Sequence, residues 1–442
     1  MKSIKRTAIA VSLFACTLTA TAAAEKKNKG ELVLLAKPQR MSVQPACLIK
    51  SDGAAAAGLA ERGRFVRFGA ARRKLRASKS GRTLIRETRS SCKELAQTRR
   101  APEGGQAERV PADAAPGAGG GSDSGSIPPS PPSLPPVPAL AEWEANMKNF
   151  GMKHCQALSG GGLGFDAALL STYYDGEWVY YQIADYTGDA SWNNCAQAAE
   201  AVYRDQYVMA SGGGVPGYWN FTHGLLEDFM RTGDSASREA LVALATKAAF
   251  AADTTPLSST ESVDQSREVA YAIMAYLNAE LAGEPRRARL SDMVGQALNH
   301  MEQWFVTGSV PYVRPFMVAL TSHALISYQE QVGDRDMLPV IQRAADWMWE
   351  HTWLPDSQSF MYTDRSVESG GMEPAPDLNL LIAPLYAWVY HRTGNDLYRQ
   401  RADQIFAGGV NGANLTNGKQ FDQSYRWSFA YLKWRNEAPL AR

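Results

Sequence analysis

Five acidic residues stand at the beginning of segments that are otherwise apolar, a position that suits acid–base chemistry. They are Asp175, Asp264, Glu268, Asp377 and Asp422. Cleavage of a glycosidic bond needs a carboxylic acid that protonates the leaving oxygen and a carboxylate that activates water or attacks directly. Acidic residues also cap helices, which is the competing interpretation. Glu268 and Asp175 are the leading catalytic pair, because each opens a buried segment without being its obvious cap.

Aromatic and polar side chains accompany these acids at the same points of the chain, where they could bind a sugar. The aromatic candidates are Tyr174, Tyr218, Trp219, Tyr312 and Trp427. The polar candidates are His223, Arg267, Arg314, Asn379 and Gln423. For the aromatic residues, packing in the protein core is the alternative to stacking on sugar rings. For His223 the alternative is a hydrogen-bonded core histidine, and for the arginines it is pairing with nearby acids.

Two other functions compete with glycoside hydrolysis. A polysaccharide lyase removes a proton beside a neutralised uronate carboxylate, and His223, Arg314, Asn379 and several tyrosines could furnish that set. The second competitor is a non-catalytic protein that binds envelope glycans. No Cys-x-x-Cys or His-x-x-x-His spacing is present, so neither a structural zinc ion nor another cofactor is expected.

Secondary-structure elements must position these side chains, and a recurring glycine motif indicates where those elements end. The marks are Thr187-Gly188-Asp189, Thr232-Gly233-Asp234, Ala282-Gly283-Glu284, Val332-Gly333-Asp334 and Thr393-Gly394-Asn395. Glycine suits the left-handed conformation that ends a helix, and Asp or Asn can cap the next helix. Each mark therefore predicts the tight turn of a helical hairpin.

The segments on the two sides of each turn differ in character. Those before the turns are apolar nearly all round, and we predict buried helices at Glu177–Tyr186, Trp219–Met230, Val269–Leu281, Phe316–Tyr328 and Leu378–Tyr390. Those after the turns are amphipathic and predict half-exposed helices at Trp192–Tyr207, Ser237–Phe250, Leu290–Phe305, Met337–Trp349 and Tyr398–Phe406. A final apolar segment, Phe421–Trp434, can pair with the opening amphipathic segment, Trp143–Leu158, which completes six hairpins.

This pattern over residues 141–442 resembles the six-hairpin (α/α)6 toroid superfamily, which holds glycoside hydrolases, polysaccharide lyases and sugar epimerases. The resemblance implies an all-α ring of hairpins whose cleft lies at the N-terminal ends of the inner helices. It rests on architecture alone, so the activity does not follow from it.

The N-terminal sequence predicts export. A basic start, an apolar run from about Ala8 to Leu18 and small residues at 21–24 are typical of a signal peptide over residues 1–24, which implies a periplasmic or extracellular protein. The alternative is a lipoprotein with Cys16 as the lipidated residue. In an exported chain, the remaining cysteines could form the pairs Cys47–Cys92 and Cys155–Cys195, or they could stay as thiols.

Charge divides the chain into zones. Residues 1–140 hold 24 Lys/Arg and 10 Asp/Glu, whereas residues 141–442 hold 22 and 35. The composition of residues 25–100 predicts a basic arm of low order. Residues 101–140 are rich in Gly, Ala, Ser and Pro, which predicts a linker. The expected partners are a polysaccharide substrate and, for the arm, an anionic envelope; the alternative for the arm is a solvated tail without a partner. We expect no nucleic acid, no transmembrane segment and a monomer.

Overall fold

The computed structural model describes residues 65–68, 71–74, 134–367 and 371–440, all within the unit Ala46–Arg442. This part of the chain is mostly helical, as predicted. The helices are α1 (Leu140–Ser159), α2 (Phe165–Leu170), α3 (Gly176–Thr187), α4 (Trp192–Glu200), α5 (His223–Thr232), α6 (Ser235–Lys247), α7 (Ser266–Leu281), α8 (Arg289–Phe305), α9 (Pro315–Gln331), α10 (Leu338–Thr352), α11 (Asn379–Thr393), α12 (Asp396–Asn411), α13 (Gly418–Tyr425) and α14 (Ser428–Asn436). None of the described helices is long and apolar enough to cross a membrane.

Short elements connect these helices. Strands β1 (Phe65–Phe68) and β2 (Ala71–Lys74) pair antiparallel, as do β3 (Trp353–Leu354) and β4 (Ser359–Phe360). Single 3₁₀ turns occupy Gly217–Trp219, Leu257–Thr260, Val263–Gln265, Pro355–Ser357 and Pro376–Leu378. The β3–β4 hairpin lies between α10 and α11 and accounts for the long spacing between the last two glycine marks.

All five predicted turn glycines have a positive φ, so the turn prediction is confirmed. Gly188, Gly233, Gly283, Gly333 and Gly394 have φ between 67° and 90°. The capping part of the prediction is confirmed at two of the turns, where the side chain of Asp234 accepts a hydrogen bond from the N–H of Ala236 and that of Asn395 from the N–H of Leu397.

Three predicted helices differ from the structure. Helix α5 begins at His223 rather than at Trp219, because the chain before it forms a 3₁₀ turn and then an irregular segment. Helix α4 continues from Ala201 to Val208 as a π-helical stretch. The last apolar segment is broken at Arg426 and Trp427 into α13 and α14, where burial of the Arg426 side chain interrupts a regular apolar stripe.

Hydrogen bonds connect the apolar helices in chain order. From α3 to α5, Tyr181 donates to Asp228; from α7 to the start of α5, Asn278 donates to Thr222. Helix α9 is bonded on both sides: Gln331 donates to the carbonyl of Leu277 in α7, and His323 to the carbonyl of Leu381 in α11. Gln423 of α13 donates to the carbonyl of Asp377, just before α11. Gln182 of α3 donates to the carbonyl of Arg426, between α13 and α14.

The two ends of the helical region are joined to each other. Trp143 of α1 donates its indole N–H to the hydroxyl of Ser428, and Tyr425 donates to the carbonyl of Trp143 at 2.8 Å. A disulfide between Cys155 and Cys195 connects α1 to α4, which confirms that predicted pair. Cys47, Cys92, Cys16, the signal peptide and most of the predicted arm and linker lie outside the described residues.

Candidate functional site

The chain takes a strained conformation immediately before α3, where two of the candidate residues lie. Tyr174 and Asp175 have φ of 74° and 66°, a left-handed region that residues other than glycine rarely adopt. Such strain collects at functional sites and persists only where the surroundings impose it. Tyr174 is buried, so its ring packs inside the protein and does not face a substrate.

The strained backbone directs the carboxylate of Asp175 at the start of the neighbouring helix α5. It accepts hydrogen bonds from the backbone N–H groups of His223 and Gly224, each at 3.1 Å. Glycine is required at 224, because a Cβ there would lie 2.8 Å from an oxygen of Asp175. Asp175 therefore caps a helix other than its own, a form of the capping alternative that the sequence did not reveal.

Asp175 belongs to a buried charged group with Arg426 and Asp422. Arg426, only 1% exposed, lies 3.8 Å from Asp175 and over the rings of Phe221 and Tyr271. Burial alone would raise the pKa of Asp175, but the hydrogen bond from His223 and the Arg426 charge bring it below its ordinary value. Burial and the neighbouring Asp175 charge raise the pKa of Asp422 well above its ordinary value.

The contacts of two of the predicted catalytic acids favour a structural role. Asp175 is 3% exposed and both of its carboxylate oxygens accept backbone N–H groups, while Asp422 is fully buried. Asp422 packs against the backbone of α3, since a Cβ at Gly176 would lie 2.5 Å from its Oδ2. Both residues contact the start of a neighbouring helix, and Asp175 balances the charge of Arg426.

Glu268 and Arg267 form the polar centre of an outer group at the start of α7. An Arg267 guanidinium nitrogen lies 2.8 Å from Oε1 of Glu268, and the same guanidinium stacks over the ring of Tyr218. Glu268 is 5% exposed, and its other oxygen, Oε2, is buried and has no hydrogen-bond partner among the described residues. Arg267 and Tyr218 are half-buried, which leaves them within reach of a ligand.

A second outer group joins the 3₁₀ turn before α7 to the start of α9. Tyr312 donates its hydroxyl to Asp264 at 2.9 Å, and Arg314 lies over the rings of Tyr312 and Tyr362. Asp264 is exposed, and the other three side chains are half-buried. These four residues are grouped with Tyr218, Arg267, Glu268 and Asp377, which lie at or before the starts of α5, α7 and α11, and the eight residues are called the mouth below.

Asp377 stands in the 3₁₀ turn before α11. The amide of Gln423 donates to its backbone carbonyl at 2.8 Å, which gives Gln423 a structural contact. Burial raises the pKa of the half-buried Asp377 carboxyl. Asn379, two residues later, is fully buried and donates to the carbonyls of Gln358 and Ile405, so its amide is used within the protein and is not available to a substrate.

Trp219 belongs to an aromatic cluster in which core packing prevails. Its ring meets those of Tyr173, Tyr207 and Phe221 edge-on, at centroid distances of 4.7, 5.3 and 5.9 Å. Its carbonyl accepts a hydrogen bond from Tyr203. The packing alternative therefore describes Trp219 better than a stacking role.

His223 and Trp427 lie in a different place from the mouth residues. His223 stacks on Trp178 at 4.2 Å, and Trp427 stacks on His323 at 4.3 Å. All four line a cavity of about 710 Å³ together with residues from the C-terminal halves of α7 and α9. The two residues therefore line this cavity, although His223 is the first residue of α5 and Trp427 directly precedes α14.

Four residues outside the predicted set make contacts with the candidate residues or line the cavity beside them: Trp178, Tyr271, His323 and Arg426. A histidine inside an apolar segment was the available signal for His323. For Arg426 it was an arginine inside the last apolar segment. No pattern distinguishes Trp178 or Tyr271 from the other aromatic residues of the buried helices.

No family model, no curated protein and no solved structure matches this chain. The site is therefore interpreted from its own geometry.

Proposed function

We propose that residues 134–440 form an (α/α)6 toroid, a closed ring of six helical hairpins. The six interhelical hydrogen bonds support this, because they run from each apolar helix to the next and from the last back to the first. The contacts of Trp143 with Ser428 and Tyr425 support the sixth hairpin, formed by α1 with α13 and α14.

We further propose that this ring is the catalytic domain of an exported glycoside hydrolase that cleaves a polysaccharide at the mouth. The observation that carries the proposal is the buried carboxylate of Glu268, held by Arg267 through one oxygen while the other has no partner among the described residues. The proposal requires that substrate binding move the half-buried side chains of Arg267 and Tyr218 and expose this oxygen. A carboxylate fixed in this way is oriented for attack or for activating water. Tyr218 and Tyr312 beside it supply ring faces for sugar stacking.

The proton donor in this proposal is Asp377. A general acid must keep its proton near the working pH, and burial raises the pKa of Asp377 in that direction. Asp264 is the other reachable carboxylate, but it already accepts the hydroxyl of Tyr312 and supports the aromatic wall. Asp175 acts as a positioning residue, because it fixes the start of α5 and carries the counter-charge of Arg426.

One observation favours a lyase as the second candidate. The hydroxyl of Tyr271 has no hydrogen-bond partner among the described residues. Burial raises its pKa, and the charges of Arg426 and Arg267 oppose that rise. Tyr271 is fully buried, so this candidate requires that substrate binding expose its hydroxyl beside the two arginines, where it would remove the proton next to a neutralised uronate.

The export part of the proposal rests on the disulfide between Cys155 and Cys195, since disulfides persist in oxidising compartments. The signal-peptide pattern of residues 1–24 points the same way.

A polysaccharide panel tests the proposal directly. We expect the purified mature chain to release reducing ends from at least one neutral or acidic polysaccharide without forming unsaturated uronates. Products that absorb as unsaturated uronates would assign the lyase reaction instead. Saturable binding with neither product would leave the non-catalytic glycan-binding function.

A further inference from the structure

Three carboxylates from three helices meet beneath the hairpins α3–α4 and α5–α6. They belong to Glu177 on α3, Glu200 at the end of α4 and Asp228 on α5. One oxygen of each lies within 4.8 Å of an oxygen of the others, and all three residues are buried. Carboxylates so close together repel one another in a low-dielectric interior, so something must compensate their charge.

Glu177 is the member of this cluster that the protein leaves unsatisfied. Both of its carboxylate oxygens are buried, and neither has a hydrogen-bond partner among the described residues. Asp228 differs, because it accepts hydroxyl groups from Tyr181 at 2.9 Å and Ser237 at 2.6 Å. Burying an unpaired carboxylate is costly, so Glu177 needs either a proton or a cation beside it.

Arg204 compensates the cluster only in part. Its guanidinium contacts Glu200 and Asp228 and also binds Asp205 at 2.7 Å and Asp234 at 2.9 Å. Four carboxylates thus share one guanidinium, and Glu177 is a fifth nearby. If Arg204 releases Glu200, it keeps hydrogen bonds to Asp205, Asp234 and Ser237, so Glu200 could turn to another cation without stranding the arginine.

A cavity gives an ion access to Glu200 and Asp228, two of the three carboxylates. This cavity of about 580 Å³ is lined by Glu200, Arg204, Asp228 and the turn Thr232–Ser235. The π-helical stretch Ala201–Val208 begins immediately after Glu200 and carries Arg204. Such stretches occur frequently at functional sites, and this one sets the end of α4 beside the cavity.

We propose that Glu177, Glu200 and Asp228 bind a Ca²⁺ ion. The donor atoms are all oxygens, which selects a hard cation over a transition metal. Ca²⁺ accepts irregular coordination and mono- or bidentate carboxylates, whereas Mg²⁺ demands near-ideal octahedral geometry. The ion gives the carboxylate of Glu177 the cationic partner that it lacks among the described residues, and it links α3, α4 and α5. This site is independent of the proposed hydrolase reaction.

Calorimetric titration of the full mature chain, stripped of metal with a chelator, tests this directly. We expect one saturable Ca²⁺ site per chain, weaker Mg²⁺ binding and a higher melting temperature in Ca²⁺. Glu177→Gln should weaken Ca²⁺ binding at least tenfold, because it removes the unsatisfied charge while keeping the shape. Glu239→Gln, at an exposed glutamate of α6, is the matched control and should bind Ca²⁺ as the wild type does.

A second measurement does not depend on the folding of any variant. Tb³⁺ added to the wild-type protein should emit when tyrosine is excited, because the hydroxyl of Tyr181 contacts Asp228, and Ca²⁺ should displace it. The proposal is overturned if the wild type shows no saturable Ca²⁺ binding. It is also overturned if folded Glu177→Gln binds Ca²⁺ as tightly as the control; in both cases a proton satisfies Glu177.

Discussion

At the scale of single residues, the buried polar groups determine how the helix starts are held together. Arg426 brings a full positive charge into the core, and two nearby acids, Asp175 and Asp422, differ in how their pKa values are shifted. Asp175, whose pKa is lowered, balances the charge, while burial raises the pKa of Asp422 well above its ordinary value. A fully buried ion pair is costly to break from one side, because the remaining charge has no partner.

His323 gives a pH dependence whose sign can be worked out. Burial lowers its pKa from 6.5 to about 4, and the neutral ring is bonded through Nε2 to the carbonyl of Leu381. The unfolded chain takes up a proton below pH 6.5 and the folded one does not until about pH 4. This group therefore leaves stability intact above pH 6.5 and costs about 3 kcal/mol by pH 4.

The variant His323→Gln should remove that dependence. Glutamine can still donate to Leu381 but does not titrate. We expect the unfolding free energy of the wild type to fall relative to that of the variant by about 3 kcal/mol between pH 7 and pH 4. Urea unfolding of both proteins at several pH values measures the difference. Parallel stability curves would mean that His323 takes up its proton at the same pH in the folded and unfolded chains and would contradict the prediction.

At the scale of elements, the sequence predicted the structure best where a backbone conformation strongly favours one residue type. The glycines of the turns are such residues, since a positive φ is costly for any other side chain. Gly188 and Gly394 therefore marked hairpins correctly. The break at Arg426 and the π-helical stretch after Glu200 were not predictable, because tertiary contacts impose them on segments whose periodicity reads as continuous helix.

The candidate site was predictable only in part, for a related reason. The sequence can identify residues at helix starts, which is how it found Glu268 and its partner Arg267. It cannot say which side chains turn inward, so it did not separate the buried Asp175 from the reachable Asp377. Contacts between distant helices, such as that of Glu177 with Asp228, carry no local signal at all.

The disulfide supports a stability prediction at this scale. It joins α1 to α4 across a sequence separation of 40 residues. In the chain-entropy model, closing a loop of that length stabilises the fold by about 4 kcal/mol. We expect the double variant Cys155→Ala, Cys195→Ala to lose about that much in guanidinium unfolding. A reducing agent should destabilise the wild type but not the variant; equal stability of the two oxidised proteins would contradict the prediction.

At the scale of the whole molecule, residues before the predicted start of the helical region contact it. The sequence predicts a start at residue 141, and Arg435 donates to the carbonyl of Pro135 at 2.6 Å. A chain that starts at Leu134 keeps this part-buried bond, and one that starts at Ala139 loses it. We expect both to fold and the shorter one to be less stable by about 1–3 kcal/mol in thermal unfolding. Equal stability would place the boundary at α1.

The basic arm gives a prediction about location. Fourteen Lys/Arg between Arg62 and Arg100 should attract an anionic surface without sequence specificity, and salt should weaken that attraction over a Debye length of about 10 Å at 0.1 M. Deleting residues 61–100 should therefore release the protein from envelope fractions at low salt and leave its activity on soluble substrate unchanged. If both forms partition alike at low and high salt, the arm is a solvated tail.

The central claim, hydrolysis at the mouth, is tested most directly by the turnover of Glu268→Gln on whichever polysaccharide the wild type cleaves. The substitution keeps the shape and removes the reacting oxygen, so we expect kcat to fall at least a hundredfold with general acid–base or nucleophilic catalysis lost. Glu261→Gln, at an exposed glutamate seven residues earlier, is the control and should keep full activity. Near-wild-type turnover by a folded Glu268→Gln protein would contradict the account.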